Sequence, residues 1–229
     1  MKGPGTMPPS KWVVLLMASL GVFLMPVDNS MLFLVVPQIA TALKQDPALV
    51  TWVPTASLIG TAAFSIPLGR LSDVWGRKRL YVIGIVTAGV TALLGGFSQN
   101  AYHLIALRLF SGVGSALIAS NAWALITEAF PSEERGKALG ISTAVGFLGL
   151  STGPVIGGLL VTVSGTWRSI FFLLVPLYTV LSILSYRWIP KSAPGVRPRR
   201  PADLRGSLSF IAGLGLLMLA LSFGRMSGW

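Results

Sequence analysis

The chain has 229 residues, of which 53% are hydrophobic and 11% charged, and its net charge is +11. Soluble domains carry about 25% charged residues; this composition excludes a soluble globular fold, whose surface needs more polar side chains. The sequence has no cysteine, which excludes disulfides and thiolate metal sites. The basic residues lie at the ends of apolar runs rather than among surface aromatics, so they indicate membrane topology and not nucleic-acid binding.

Seven apolar runs are long enough to cross a bilayer as helices, which takes about twenty residues each. They cover approximately 12–36, 49–69, 80–99, 102–126, 138–162, 169–189 and 207–224. Alternation with a period of two is absent, so the spans are helices rather than strands of a barrel. The first run is too long for a signal peptide and lacks a cleavage site, so we expect it in the mature protein. The fold class is an all-α integral membrane protein.

The first and fourth spans each contain one deep charge. Asp28 lies about 12 Å and Arg108 about 9 Å from the same membrane face, at 1.5 Å per residue. A charge at this depth usually faces a cavity or a partner. Lipid disfavours the charged form of a carboxyl group, which makes Asp28 a candidate proton acceptor that Arg108 could modulate; the alternative is a structural ion pair. We expect Pro26 to break the first helix nearby, and Glu128 to be an interfacial acid.

The segment GRLSDVWGRKR, residues 69–79, joins the second and third spans and is rich in charge. Basic residues in such a loop anchor it at the anionic inner leaflet. Anchoring explains neither the acid Asp73 nor two glycines, Gly69 and Gly76, because a tight turn needs one glycine at most. Three consecutive basic residues, Arg77, Lys78 and Arg79, follow Gly76 and are candidate site residues together with Asp73.

The fifth span contains GISTAVGFLGLSTGPVIGG, in which Gly149, Gly153 and Gly157 share one helix face and permit close packing. Pro154 is expected to bend this helix. The full pattern consists of Gly140, Gly149, Gly153, Pro154, Gly157 and Gly158. The stretch GLSTG also fits a nucleophile elbow, but that motif needs a strand-turn-helix and a triad histidine. The single histidine, His103, lies at a helix mouth, so we predict no enzyme.

These patterns resemble the major facilitator superfamily. The spacing of Gly69, Asp73 and Gly76 before Arg-Lys-Arg is similar to its loop signature, and the fifth span is similar to the antiporter signature of its drug–proton exchangers. RLFSGVGSA (108–116) and VDNSMLFLVVP (27–37) resemble two further motifs, with Ser111 and Ser30 in place of the usual Gln and Thr. Residues 203–229 look like the first extra helix of the fourteen-helix branch.

The resemblance implies an architecture and an activity. Residues 1–189 would form a six-helix bundle of two inverted three-helix repeats, 190–206 a cytoplasmic linker and 207–229 an additional transmembrane helix. The protein would lie in the cell membrane and export small, lipophilic, drug-like molecules by alternating access, with protons as the coupling ion and no cofactor. Segment 69–79 would act as a cytoplasmic gate latch in which Asp73 pairs with nearby basic residues. Val74 replaces the usual Arg, so one local partner is lacking.

The substrate is weakly encoded. Side chains that could line an apolar cavity are Met25, Trp52, Phe110, Asn121 and Trp123, although such residues more often face lipid or pack within the protein. The second half of a facilitator is absent from the sequence. The chain could therefore be part of a longer transporter, pair with a second chain, or be a membrane interaction protein without transport of its own.

The basic residues predict the orientation. Fourteen of the eighteen Lys and Arg residues fall on one side of the predicted spans, and Lys44, Arg168 and Arg225 fall on the other. Basic residues favour the cytoplasmic side, so the N-terminus should be cytoplasmic. Because the chain lacks cysteine, single cysteines can report this. Cysteines at Ser132 and Ser192 should react with an impermeant thiol reagent only from the cytoplasm, and one at Asp46 only from outside. Outside labelling at Ser192 would contradict the six-span arrangement.

Overall fold

A computed structural model of the chain describes residues 11–190 and, beyond them, only positions 209 and 213, both helical. Residues 11–190 form α1 (Lys11–Leu43), α2 (Pro47–Val50), α3 (Trp52–Trp75), α4 (Arg77–Gly96), α5 (Ala101–Ala129), α6 (Ser132–Ser164) and α7 (Arg168–Trp188). Six segments of this part are long and apolar enough to cross a membrane, with α2 and α3 forming one of them. The predicted linker after Pro190 and the predicted seventh span lie outside the described residues, apart from those two positions.

Helix ends follow local capping chemistry. The Asp46 carboxylate accepts from the Ala48 N–H at 2.8 Å and the Asn100 amide oxygen accepts from the Tyr102 N–H at 2.9 Å, which satisfies amides that lack a partner within the helix. Gly165 ends α6 with a φ of 68°, a left-handed conformation that favours glycine. Both α1 and α6 are longer than their predicted spans, because α1 continues through PQIATAL to Leu43 and α6 begins with the polar segment SEERGK.

The helices pack as two related triplets. The most extensive contacts are α1 with α6 and α3 with α5, followed by α4 with α5 and α7, and α1 also contacts α5. If α1, α3 and α4 are matched in order with α5, α6 and α7, the contact between α1 and α6 corresponds to the contact between α5 and α3. This equivalence is expected for two inverted three-helix repeats. The predicted fold class, an all-α bundle of membrane-spanning helices, is confirmed for residues 11–190.

Two glycines let α5 pack between α3 and α4. Gly112 faces α3, where a Cβ added to Gly60 would lie 2.6 Å from the Leu109 carbonyl oxygen. Gly114 faces α4, where a Cβ added to Gly84 would lie 2.8 Å from the Gly114 carbonyl oxygen. Backbones approach this closely only where side chains are absent. The RLFSGVGSA stretch therefore places α5 at the centre of the bundle.

A second line of glycines, the α6 seam, consists of Gly149, Gly153 and Gly157 and faces α1. A Cβ at Gly153 would collide with the Ser30 hydroxyl and lie 3.0 Å from the Val27 carbonyl oxygen, and one at Gly157 would lie 3.1 Å from the Met31 Cβ. The adjacent Gly158 is less constrained, since its added Cβ would meet only Leu34 Cδ2, at 3.2 Å. The predicted close packing of this helix face is therefore present.

One glycine and two prolines of α1 and α6 were expected to shape these helices. Gly140 is exposed and an added Cβ would have no neighbour within 4 Å, so it does not take part in the α6 seam. The predicted break at Pro26 is wrong, because α1 continues through that residue. Helix α6 also continues through Pro154, and the bend expected there stays a prediction. A proline removes one backbone donor, and packing against neighbouring helices holds the rest of a membrane helix together.

The α6 seam can be tested with two alanine substitutions that differ only in place. Gly153→Ala should lower the thermal unfolding temperature of the detergent-solubilised chain, since overpacking costs about 1–3 kcal/mol. Gly140→Ala is the control and should leave that temperature unchanged or raise it slightly, because alanine favours helix. Equal destabilisation by the two substitutions would contradict close packing at Gly153.

Candidate functional site

The two deep charges of the sequence meet inside the bundle. Arg108 Nη1 on α5 donates to both carboxylate oxygens of Asp28 on α1, at 2.8 and 3.0 Å. The Asp28 and Arg108 side chains are only 1% and 2% exposed. Burial of two charges is tolerated when they are paired and their remaining polar atoms are satisfied, and loss of one partner typically costs about 3–5 kcal/mol. Asp28 and Arg108 therefore form one neutral unit that joins α1 to α5.

Three neutral polar side chains surround the ion pair. Arg108 Nη2 donates to the Asn29 amide oxygen at 2.9 Å, and Nη1 also donates to the Ser111 hydroxyl at 3.3 Å. The Tyr178 hydroxyl on α7 donates to Asp28 Oδ2 at 3.5 Å. Arg108 Nε is buried without a hydrogen-bond partner. The site thus joins α1, α5 and α7, and the guanidinium would keep two partners if the carboxylate became neutral.

The sequence indicated the charged pair but missed two of its neighbours. Similar depth of Asp28 and Arg108 was expected, and the structure places them in direct contact. Asn29 directly follows Asp28 and is a second polar residue within the apolar span, and this position could have indicated that Asn29 belongs to the site. Tyr178 carries a hydroxyl within an apolar helix and so needs a partner, but its sequence position could not identify that partner as a residue 150 positions earlier.

The predicted gate segment is largely helical rather than a loop. Helix α3 continues to Trp75 and α4 begins at Arg77, so Gly76 alone separates them, with a φ of 92°. The prediction of a loop over 69–79 is therefore wrong. Its polar residues continue the helix past the apolar run, and Gly69 lies within α3 with 3.6 Å between its added Cβ and Ser120 Cβ. We call this the Gly76 end of the bundle, where α3, α5 and α7 finish.

Arg77 is the centre of a charged cluster at the Gly76 end. Its Nη2 donates to Asp73 Oδ1 at 3.3 Å, and its Nη1 lies 3.2 Å from Glu128 Oε1. Nη1 also donates to the Ala124 carbonyl oxygen at 3.1 Å. The cluster links α3, α4 and α5, and Glu128 is an ion-pair partner rather than merely an interfacial acid. The two carboxylates are about half exposed, and exposed pairs contribute only about 0–1 kcal/mol each.

The described contacts of Lys78 and Arg79 lie on other parts of the bundle than those of Arg77. Lys78 Nζ donates to the Ile189 carbonyl oxygen at 2.5 Å and lies 5.4 Å from the Tyr186 ring centroid, both next to the end of α7. The Arg79 guanidinium lies 6.0 Å from the Trp75 ring centroid. Consecutive helical residues point in different directions, so the basic triplet divides between two surfaces of the bundle.

The five candidate cavity residues differ in burial. Phe110 and Trp123 are exposed, Met25 and Trp52 are half-buried, and Asn121 is fully buried. Asn121 Nδ2 donates to the Leu117 carbonyl oxygen at 2.8 Å, whereas its amide oxygen has no partner. Asn121 therefore does not share an open surface with Phe110 and Trp123. As substrate contacts, all five stay predictions.

Comparison with known proteins agrees with this geometry. The Major Facilitator Superfamily model matches residues 18–228. The riboflavin transporter RibZ of Clostridioides difficile is 33% identical over 93% of this chain and 46% of its own length. The multidrug resistance protein Stp of Mycobacterium tuberculosis is 32% identical over 95% of this chain and 40% of its own length. The chain thus spans less than half the length of these two curated relatives.

The fold has counterparts among solved structures. The xylose transporter XylE from E. coli, in a partially occluded inward-open conformation, superposes with a TM-score of 0.69. The match covers 94% of this chain and 60% of that chain at 16% identity, so it shows the fold alone. The helical architecture and the family match over nearly the whole chain confirm the resemblance seen in the sequence motifs: the chain belongs to the Major Facilitator Superfamily.

Proposed function

We propose that the chain forms the N-terminal six-helix half of a proton-coupled transporter that exports small, lipophilic, drug-like molecules. Similarity to a multidrug resistance protein supports the substrate class, and the similar riboflavin transporter leaves its breadth open. The proposed location is the plasma membrane, with a cytoplasmic N-terminus. The proposed partners are the lipid bilayer, a small-molecule substrate and a second transporter half, with protons as the coupling ion and no further cofactor.

The Asp28–Arg108 pair is the observation that carries this proposal. A coupled transporter needs a group that alternates between charged and neutral as the cavity changes sides. While the pair is closed and buried, the guanidinium and the carboxylate attract each other in surroundings of low dielectric constant. Water entering between α1 and α5 would weaken that attraction, because the pair energy falls as the dielectric constant rises. Proton uptake would then be restricted to the conformation in which the pair is open to water.

Protonation would change which hydrogen bonds hold the helices together. A neutral Asp28 would bind Arg108 less tightly, while Asn29 and Ser111 would still accept from its guanidinium. The Tyr178 hydroxyl would remain beside the carboxyl group from α7. Ser111 lies on α5 together with Arg108, so the guanidinium would keep this partner when α1, which carries Asn29, moves relative to α5. The charge of Arg108 would then not be left bare in lipid.

The Arg77 cluster is proposed as the cytoplasmic latch. Its exposed ion pairs are individually weak, so they can open and close at little cost, in contrast to the buried pair. The ion pair between Lys11 Nζ and Glu134 Oε2 joins α1 to α6 at the same end of the bundle. We propose that these contacts hold one closed state, with Asp73 and Glu128 as the acids. The predicted roles of Lys78 and Arg79 in the latch stay predictions.

A second candidate function is a half-transporter or interaction subunit that needs a partner chain and does not transport alone. The observation that favours it is the length of the chain, which spans 46% and 40% of the two relatives. Helix α6 contacts α1 extensively and exposes most of its other side chains, including Phe147, Val155 and Leu159. That surface could contact lipid or a second half, whether supplied by the same polypeptide or by another.

We test the proposal with Asp28→Asn in a transporter that contains both halves. Proton-driven efflux should be lost, because Asn cannot exchange a proton, and substrate affinity should change less than about tenfold, or ~1.4 kcal/mol. Substrate-induced proton release, followed with a pH dye in detergent, should disappear. Asp46→Asn is the control, since it removes an exposed acid whose capping role Asn can keep.

Loss of one partner could also destabilise the protein, so a double variant separates stability from coupling. Asp28→Asn/Arg108→Gln removes both buried charges and should recover thermal stability relative to Asp28→Asn while remaining uncoupled. Unchanged proton release in Asp28→Asn would make the pair structural and place the coupling acid elsewhere.

A further inference from the structure

A cavity of about 870 Å³ opens at the Gly76 end between the ends of α3, α4 and α7. Its cationic lining residues are Lys78, Arg79 and Arg187, and no carboxylate is among its described lining residues. It lies apart from the Asp28–Arg108 pair and on a different surface from the Arg77 cluster. The division of the basic triplet therefore places two cations of the predicted gate in a site that the proposed transport mechanism does not use.

The cations of this cavity are held in position by neighbouring groups. Lys78 is fixed by the Ile189 carbonyl oxygen and the Tyr186 ring, and Arg79 lies near the face of Trp75. Arg187 is in the last turn of α7. The guanidinium groups of Arg79 and Arg187 are both exposed in this lining, so the cavity favours an anion. Gly76 adds the N-terminal end of α4, where the helix dipole also favours negative charge.

The cavity changes from polar to apolar along α4. Val82 and Ile83 line it four to five residues after Lys78, which is about 6–7.5 Å further along the helix at 1.5 Å per residue. Trp75 and Tyr186, both lining residues, are of the aromatic types that concentrate at the level of lipid headgroups. The cations and the aromatic rings thus lie near the Gly76 end and the aliphatic side chains lie further along α4, as the headgroup and an acyl chain of a phospholipid would require.

We propose that this cavity binds an anionic glycerophospholipid. The phosphate contacts the side chains of Lys78, Arg79 and Arg187, and the upper acyl chain lies against Val82 and Ile83. Basic pockets between transmembrane helices are suited to anionic lipid headgroups. The chain segment after Pro190 is a less suitable occupant by charge, because it carries a series of basic residues, Lys191, Arg197, Arg199, Arg200 and Arg205.

The test measures lipid binding and does not depend on transport. The full chain, purified in detergent, is titrated with phosphatidylglycerol or phosphatidylcholine, and bound lipid is counted by native mass spectrometry. The variant Arg79→Gln/Arg187→Gln removes two charges from the cavity. The control Arg70→Gln/Lys137→Gln removes two exposed charges at the same end that are not among its lining residues.

We expect the cavity variant to bind phosphatidylglycerol about thirtyfold more weakly, since each basic residue near an anionic lipid surface contributes about a factor of five. The control should change the affinity for phosphatidylglycerol by less than about twofold, because salt screens exposed charges that lie outside the cavity. The charge-preserving variant Arg79→Lys/Arg187→Lys should retain binding, which separates charge from misfolding. Thermal unfolding of each variant checks that it is folded.

Several outcomes would overturn the proposal. Equal loss in the cavity and control variants would indicate a diffuse surface attraction, and equal binding of phosphatidylcholine would remove the requirement for an anion. Displacement of phosphatidylglycerol by millimolar inorganic phosphate would indicate a site for free phosphate instead.

Discussion

The ion pair between Asp28 and Arg108 is the interaction on which the rest of the structure depends. Two charges from α1 and α5 are acceptable inside an apolar bundle only when their atoms meet at hydrogen-bond distance. That requirement fixes the relative depth of both helices. Glycines meet the steric demand: Gly112 and Gly114 let α5 approach α3 and α4, and the α6 seam lets α6 cover α1. Close packing and the buried pair therefore support each other.

Helix α5 connects the two electrostatic features of the bundle. It carries Arg108 of the buried pair and Glu128 of the Arg77 cluster, twenty residues or about 30 Å apart. The two features differ in strength, because the first is buried and the second is half exposed. In the proposed transport cycle, a change of protonation at the strong pair would move α5, and the weak contacts of Arg77 would open or close in response. A continuous helix can transmit such a movement as a rigid element.

Much of this arrangement could be predicted from the sequence, because lipid imposes simple constraints. Run length predicted the six spans within residues 11–190, isolated deep charges indicated Asp28 and Arg108, and four-residue glycine spacing predicted the α6 seam. The extension of α3 to Trp75 was missed, since its last turns are polar and carry no hydropathy signal. The division of Lys78 and Arg79 from Arg77 depends on the helical phase set at Gly76, and the contact of Tyr178 with Asp28 depends on packing between distant helices. Neither leaves a local pattern.

Infrared difference spectroscopy tests the central claim most directly, namely that Asp28 exchanges a proton when its pair with Arg108 opens. The measurement compares a transporter containing both halves before and after substrate is added at constant pH. The account predicts loss of a protonated-carboxyl band in the wild-type protein and no such change in Asp28→Asn, together with a shift of the guanidinium bands of Arg108. An identical carboxyl change in the wild-type and Asp28→Asn proteins would contradict it.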